Sequence, residues 1–280
     1  PRKLDPRIAV RAIRVIAAGG DAHAPHGATV AFHLPNRGKS VDEGLYKKVM
    51  LVNHSTAFDK IMKRRAAIAL APTQRKYVST MADITNTTFH EFAHGFGAHD
   101  ELEIRTKAGK RTTVHGALRE HTTIMEELKA DITSMWLIAQ SVKRGWLKPE
   151  QARMRYVSAL MHSIGLASYP LKGTYPRMAS IELGWYLDHG GITWDKGHFK
   201  VDFEKLPKAV ESLTRRVATV QLTGDYAGAS KLIARYVKTV VPKKQYAFVG
   251  KIAQPLTRTK AAFSKANIKS VALSYHVKGL

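Results

Sequence analysis

His90-Glu91-Phe92-Ala93-His94 sets two imidazoles four residues apart, with a carboxylate beside the first. In a helix, side chains at i and i+4 leave one face a turn apart, so both rings can reach a single Zn²⁺. A glutamate next to the first ligand is then placed to take a proton from a water, as in metal-assisted hydrolysis. The stretch predicts a zinc hydrolase with His90 and His94 as ligands and Glu91 as general base. Over five residues, a helix with two solvated histidines reads the same, so the source of a third protein ligand matters.

Two downstream acids compete for that place. Glu126-Glu127-Leu128-Lys129-Ala130-Asp131 lies in a helical pattern from about Leu118 to Val142, carried by Leu118, Ile124, Leu128, Ile132, Met135 and Ile138. Glu127 and Asp131 are one turn apart, so one can ligate metal while the other accepts the N–H of a ligand histidine. A solvated acidic face is the ordinary fate of such residues, but an acidic cluster between Met125 and Ile132 is expected to be partly buried, and buried carboxylates need a partner. The second candidate is Asp100, because His90-Glu91-x-x-His94-x-x-Gly97-x-x-Asp100 follows the extended zincin pattern and implies an endopeptidase. It fits less well. The expected third histidine falls one place early, at His99, and Met154, Met161 and Met178 sit in helical patterns rather than in a turn beneath a metal.

The elements that position these groups are a short β-rich start and a long helical remainder. Apolar or alternating runs near residues 8–17, 28–34 and 47–53 predict strands, punctuated by Gly19-Gly20 and Pro35-Asn36. For the helix bearing His90, N-caps are available at Asp83, Thr85, Asn86, Thr87 and Thr88, and Gly95 and Gly97 terminate it. From about residue 80 the helical period dominates. Pro149-Glu150 opens a helix reaching His162, Thr174-Tyr175-Pro176 opens one ending at Gly190-Gly191, and Asp225 caps one running to Tyr236. Trp136 and Trp185 read as core, and the tail from Lys243 reads as basic and irregular.

Taken together, these segments resemble the dipeptidyl-peptidase III family of zinc exopeptidases. That family pairs a histidine-glutamate helix with a helix carrying Glu-Glu-x-x-Ala-Glu/Asp, matched by Glu126, Glu127, Ala130 and Asp131. Many members space the histidines one residue wider, and the five-residue form resembles some bacterial ones. Ala31-Phe32-His33-Leu34-Pro35-Asn36 resembles the family's strand ending in Asn-x-Pro-Asn, Lys47 to Asn53 the segment after it, and Gly224-Asp225-Tyr226 a further recurrent segment. The resemblance spans about residues 9–240. It implies one Zn²⁺ held by His90, His94 and Glu127, with Glu91 as base and Glu126 and Asp131 orienting the histidines. It also implies that Asn36 lies on a substrate-binding strand, where His33 replaces the family's usual Asn. Tyr175 falls near the place of a histidine that stabilises the tetrahedral intermediate; His162 is the other candidate donor. Full-length relatives carry a further N-terminal lobe, so a chain starting at Pro1 reads either as a processed product or as a fragment holding only the catalytic half.

Composition bounds the remaining choices. The 280 residues suffice for a sizeable core, and no apolar run is long enough to cross a membrane. The absence of cysteine excludes disulfides and thiolate ligands, and the lack of a signal peptide favours a cytoplasmic setting. Forty-five basic against 22 acidic residues give a net charge of +23, which attracts anionic partners; yet no nucleic-acid-binding motif accompanies it. The expectation is a mainly helical α+β metallopeptidase region. Residues 1–60 form its β-rich substrate-binding part, 80–240 its helical zinc-binding part and 241–280 a basic C-terminal segment. Its predicted activity is release of N-terminal dipeptides from oligopeptides, with oligomeric state undetermined. The rival expectations are an endopeptidase using Asp100 and a catalytically weak basic binding module of the same fold.

Overall fold

In the computed structural model, which describes residues 10–15, 31–34, 47–240 and 245–268, three strands precede a body of helices. The strands are β1 (Val10–Ile13), β2 (Ala31–Leu34) and β3 (Lys47–Leu51). They form a sheet in the order β1-β3-β2, with β1 parallel and β2 antiparallel to β3. His33 pairs with Lys48 in that sheet, whereas Asn36 lies outside the described residues. The helices that follow are α1 (Val52–Ala69), α2 (Thr80–Ala93), the short α3 (Val114–Leu118), α4 (Thr122–Lys143), α5 (Pro149–Ala167) and α6 (Thr174–Asp188). After them come α7 (Leu206–Leu222), α8 (Tyr226–Ala234) and α9 (Ala253–Lys265). Three antiparallel hairpins are interleaved: β4 (Glu103–Arg105) with β5 (Arg111–Thr113), β6 (Ile192–Asp195) with β7 (His198–Val201), and β8 (Val237–Val240) with β9 (Gln245–Phe248).

The core is organised around α4. Its apolar residues Ile124, Leu128, Ile132, Met135 and Ile138 recur at three- and four-residue steps and are fully or almost fully buried. Met125 and Ala130 are buried on another side, because α4 packs against α2, α5, α6 and α7 together. A helix surrounded in this way has no fully solvated face, so its charged residues must find partners inside.

Several expected boundaries move. The pattern starting at Leu118 is interrupted, since α3 ends there and a 3₁₀ turn, Arg119–His121, precedes α4. Arg119 has φ 52°, a left-handed conformation that breaks the helix. The third strand stops at Leu51, and Val52 begins α1 instead of continuing the strand. Thus helix begins well before residue 80, and hairpins interrupt it later. The α5 helix continues past His162 to Ala167, and the segment beyond residue 243 contains β9 and α9 rather than irregular chain. The α2 cap is also displaced. Ser79 accepts from the Ala82 N–H at 3.3 Å, while Asp83, Thr85, Asn86, Thr87 and Thr88 all lie inside the helix. By contrast, Asp225 does cap α8, accepting from Gly228 N–H at 2.8 Å, and α6 ends just before Gly190 as expected.

Candidate metal centre

The α2 helix turns a polar stripe, not an apolar one, toward its neighbours. Asp83, Asn86, His90 and His94 recur at the helical period on one face. Each meets a group on α4 or α5. Asp83 Oδ1 lies 3.3 Å from His162 Nδ1, and Asn86 exchanges hydrogen bonds of 2.8 and 2.9 Å with Arg155. His90 Nδ1 lies 3.2 Å from Asp131 Oδ1, and His94 Nδ1 lies 3.0 Å from Glu126 Oε1. Four polar pairs thus fasten α2 along its length, and they also fix the orientation of both imidazoles.

With their Nδ1 edges held by carboxylates, the two rings present Nε2 to each other at 3.2 Å. Glu127 Oε2 completes the triangle, 3.3 Å from His90 Nε2 and 3.8 Å from His94 Nε2. Ligands held at about 2.0–2.1 Å from a tetrahedral ion stand about 3.4 Å apart, close to these three separations. The buried Glu127 Oε2 has no hydrogen-bond partner, so a full acceptor is aimed into the space between the rings. A donor set of two imidazoles and one carboxylate, with carboxylates behind the imidazoles, suits Zn²⁺ and leaves a fourth position for water. Among the described residues, His90, His94 and Glu127 form a group whose ligand atoms lie within 4.8 Å of one another, and Asp100 is outside it. Asp100 instead follows the end of α2, where its carbonyl accepts from His115 N–H at 2.9 Å.

The electrostatics agree with a site that concentrates negative charge for a cation. Burial would raise the Glu127 carboxyl, but the close approach of His90 Nε2 and the charges of both imidazoles hold it below the usual range. Glu126 is likewise lowered against its burial by His94 and Lys129. Burial would depress His90, yet Asp131 and Glu127 hold it well above its ordinary value. Lys129, itself buried, caps this arrangement. Its ammonium lies 2.7 Å from Glu126 Oε1 and donates to the carbonyls of His94 and Ala98 at 3.1 and 3.0 Å, where the end of α2 leaves acceptors unpaired.

No protein-family model matches the chain. Its sequence is 32% identical over 237 residues to the protein named Nudix hydrolase 3 of Arabidopsis thaliana, a match covering 84% of this chain and 30% of that protein. Two solved structures superpose on 94% of the chain. Dipeptidyl-peptidase III from Corallococcus sp. strain EGB does so with a TM-score of 0.80 and 28% identity, over 46% of its own length. DPP III from Caldithrix abyssi does so with a TM-score of 0.79 and 26% identity, over 48% of its length. The chain belongs to a dipeptidyl-peptidase III-like family. It spans less than half the length of those two structures and under a third of the plant protein, most of which lies outside the match.

Within this dipeptidyl-peptidase III-like fold, the two candidate hydrogen-bond donors lie in different surroundings. Tyr175, at the start of α6, is 49% exposed as a residue, but its hydroxyl engages Glu127 of the site. Burial, then the charges of Glu127 and Glu91, then a hydrogen bond to Glu127 push its phenol upward. His162 is engaged by Asp83; burial works against its proton, while Asp83 and Asp131 outweigh that and raise it. The β2 strand carrying His33 runs beside α2, so the sheet borders the helix of the site. Sequence reasoning missed Lys129, the Asn86–Arg155 pair and Glu182, because a buried charge on a helix has the same local pattern as a solvated one. Glu182 did carry a signal: it is the acid in the otherwise uncharged run Met178 to Leu187.

Proposed function

We propose that the chain is the metal-bearing part of a zinc peptidase that removes dipeptides from the N-terminus of oligopeptides. The observation that carries this reading is the triangle of His90 Nε2, His94 Nε2 and Glu127 Oε2, with each imidazole backed by a carboxylate. When bound, Zn²⁺ supplies Lewis-acid activation of the scissile carbonyl and of water. Glu91, adjacent to His90, accepts the proton of the attacking water and returns it to the departing amine. The Tyr175 hydroxyl, already among the Glu91 and Glu127 charges, donates to the oxygen that becomes negative as the carbonyl is attacked. Glu126 and Asp131 keep both imidazoles in the tautomer that turns Nε2 toward the ion. The β2 strand pairs on one side with β3, and its other edge offers backbone groups to an extended peptide through a side-chain-tolerant mode.

The dipeptide step rests on likeness to the two dipeptidyl-peptidase III structures, which this chain covers for less than half of their length. A cytoplasmic location is part of the same proposal; among the described residues, no helix is long and apolar enough to cross a membrane. The name of the plant relative points to a different hydrolase, but it describes a protein of which about 70% lies beyond the matched segment. The test is mass spectrometry on the zinc-loaded chain with one short peptide, its N-terminus free or acetylated. Release of an N-terminal dipeptide from the free form alone supports the reading. Internal cuts in both forms favour an endopeptidase, and intact peptides with zinc bound favour a binding module.

A further inference from the structure

Behind the candidate metal centre lies a second buried acid that the zinc-peptidase reading does not use. Glu182, on α6, is 1% exposed, and its carboxyl faces the Asp131 carboxyl on α4. Ser163 donates to Glu182 Oε2 at 2.8 Å and Tyr186 donates to Oε1 at 2.9 Å; Ser163 is 2% exposed and Tyr186 2%. Among the described residues, no basic side chain pairs with Glu182; the contacts that perturb it are two hydroxyls and an acid. Two carboxylates in contact without a cation between them cannot both stay charged away from water, and a hydrogen bond between them requires one proton.

The surroundings decide which acid keeps that proton. Asp131 accepts from the imidazole of His90 at 3.2 Å, a partner that favours its carboxylate form. Among the described residues, Glu182 has no such neighbour, and burial followed by the Asp131 charge drives it well above the carboxylate range. The pair is therefore an acid donating to a carboxylate. That carboxylate in turn accepts the Nδ1 proton of His90, whose Nε2 points at Glu127 and His94. A line of hydrogen bonds runs from Ser163 and Tyr186 through Glu182 and Asp131 to a candidate ligand. Its far end is anchored on α5 and α6 and its near end on α4 and α2, so it links four helices of the bundle.

We propose that Glu182 is a positioning residue: a neutral buried acid that fixes the Asp131 carboxylate by donating to it, and through Asp131 sets the orientation of His90 toward the metal. This rests on the zinc reading of His90, His94 and Glu127. Removing Glu182 leaves Asp131 free to rotate off His90 and takes away the acceptor of the Tyr186 hydroxyl. An amide at the same position still donates to Asp131 and still accepts from one hydroxyl, and Ser163 has a second acceptor in the Ala159 carbonyl at 3.1 Å.

The experiment compares the 280-residue chain with Glu182→Gln and Glu182→Leu. Zinc affinity is measured by chelator competition on the folded fraction of each. The ¹⁵N-histidine spectrum of the metal-free proteins supplies a second readout through the Nδ1–H resonance of His90. The expected result is zinc binding about 10-fold weaker in Glu182→Leu, at the lower end of the range for groups that support metal ligands, with Glu182→Gln close to the wild type. The His90 Nδ1–H signal should be lost or shifted in Glu182→Leu and restored in Glu182→Gln. Unchanged affinity and an unchanged resonance in Glu182→Leu would overturn the proposal and leave Glu182 with a packing role only. Equal defects in Gln and Leu would overturn the neutral-donor assignment. If the wild type itself fails to bind zinc, the zinc reading falls while the His90 resonance still decides whether Glu182 orients that ring.

Discussion

Glu126 and Lys129 stand one turn apart on α4 with Oε1 and Nζ 2.7 Å from each other, inside the protein rather than on its surface. The pair does more than neutralise charge. Glu126 passes its other contacts to His94 at 3.0 Å and to Gln221 at 3.4 Å, while Lys129 closes the end of α2 through two carbonyls. Removing one member of a buried pair leaves the other uncompensated, which costs about 3–5 kcal/mol. Lys129→Met should therefore lower the free energy of unfolding by about 3 kcal/mol, since Glu126 keeps two other partners. Denaturant titration of the metal-free protein measures this. Adding Glu126→Gln should return part of the loss, because the stranded carboxylate is then gone. A single variant as stable as the wild type would show that the pair contributes nothing net.

The third ligand is decided by a pair of substitutions. Glu127→Ala removes the acceptor that faces both Nε2 atoms, and it should abolish zinc retention after dialysis. Asp100→Ala lies outside that triangle and should retain one zinc per chain. Elemental analysis distinguishes them. Loss of zinc from the Asp100 variant alone would move the third ligand to the loop after α2.

Much of this was legible before any coordinates. Ile124 to Ile138 announce α4 because their apolar side chains recur at the helical period, and the acids within that period are partly buried as expected. The α2 helix was harder to read. Its inward stripe is Asp83, Asn86, His90 and His94, so apolar periodicity is absent and only the partners on α4 and α5 explain it. Val49 to Val52 form a continuous apolar run that suits either a buried strand or a helix start, and the chain changes from one to the other inside it. The β6–β7 hairpin did carry a local signal in Lys196 and Gly197, which take φ 48° and 83° at its turn, but a helical reading of the region passed over it.

A pH effect follows from the Arg119–His121 turn. His121 stacks on Tyr226 with ring centroids 4.8 Å apart, and its Nε2 lies 2.8 Å from Ser230 Oγ. Burial lowers its pKa below 6.5; Glu120 opposes this and Arg177 adds to it. The folded protein thus binds this proton less readily than the unfolded chain does. Above about pH 6.5 both states leave His121 neutral and no stability is lost. As pH falls below that value the unfolded chain takes up the proton first, so stability declines until the folded state also titrates. His90 and His162 shift the opposite way, toward greater stability at lower pH in metal-free protein, and both are present in wild type and variant alike. The difference in unfolding free energy between wild type and His121→Gln isolates the effect. It should turn against the wild type between pH 7 and pH 5. A difference that stays flat across that interval would remove His121 as the source.

Glu91 is the sharpest test of chemistry as distinct from metal binding. It follows His90 on α2, yet it lies outside the His90–His94–Glu127 triangle. Its charge reaches the Tyr175 phenol, which also faces Glu127, as the proposed role of proton acceptor requires. Glu91→Gln preserves size and hydrogen bonding but removes the ability to accept a proton. The variant should bind zinc as the wild type does and hydrolyse an oligopeptide about 10²–10⁴-fold more slowly, the usual contribution of a positioned base. Tyr175→Phe should be milder and confined mainly to kcat, because a donor to the developing oxyanion acts in the transition state more than in the bound ground state. Zinc content by elemental analysis and single-turnover kinetics on the same peptide give both readouts. A Glu91→Gln chain that retains zinc and most of its turnover would transfer the proton-accepting role to another group, and one that loses zinc as well would show that Glu91 supports the metal rather than the reaction.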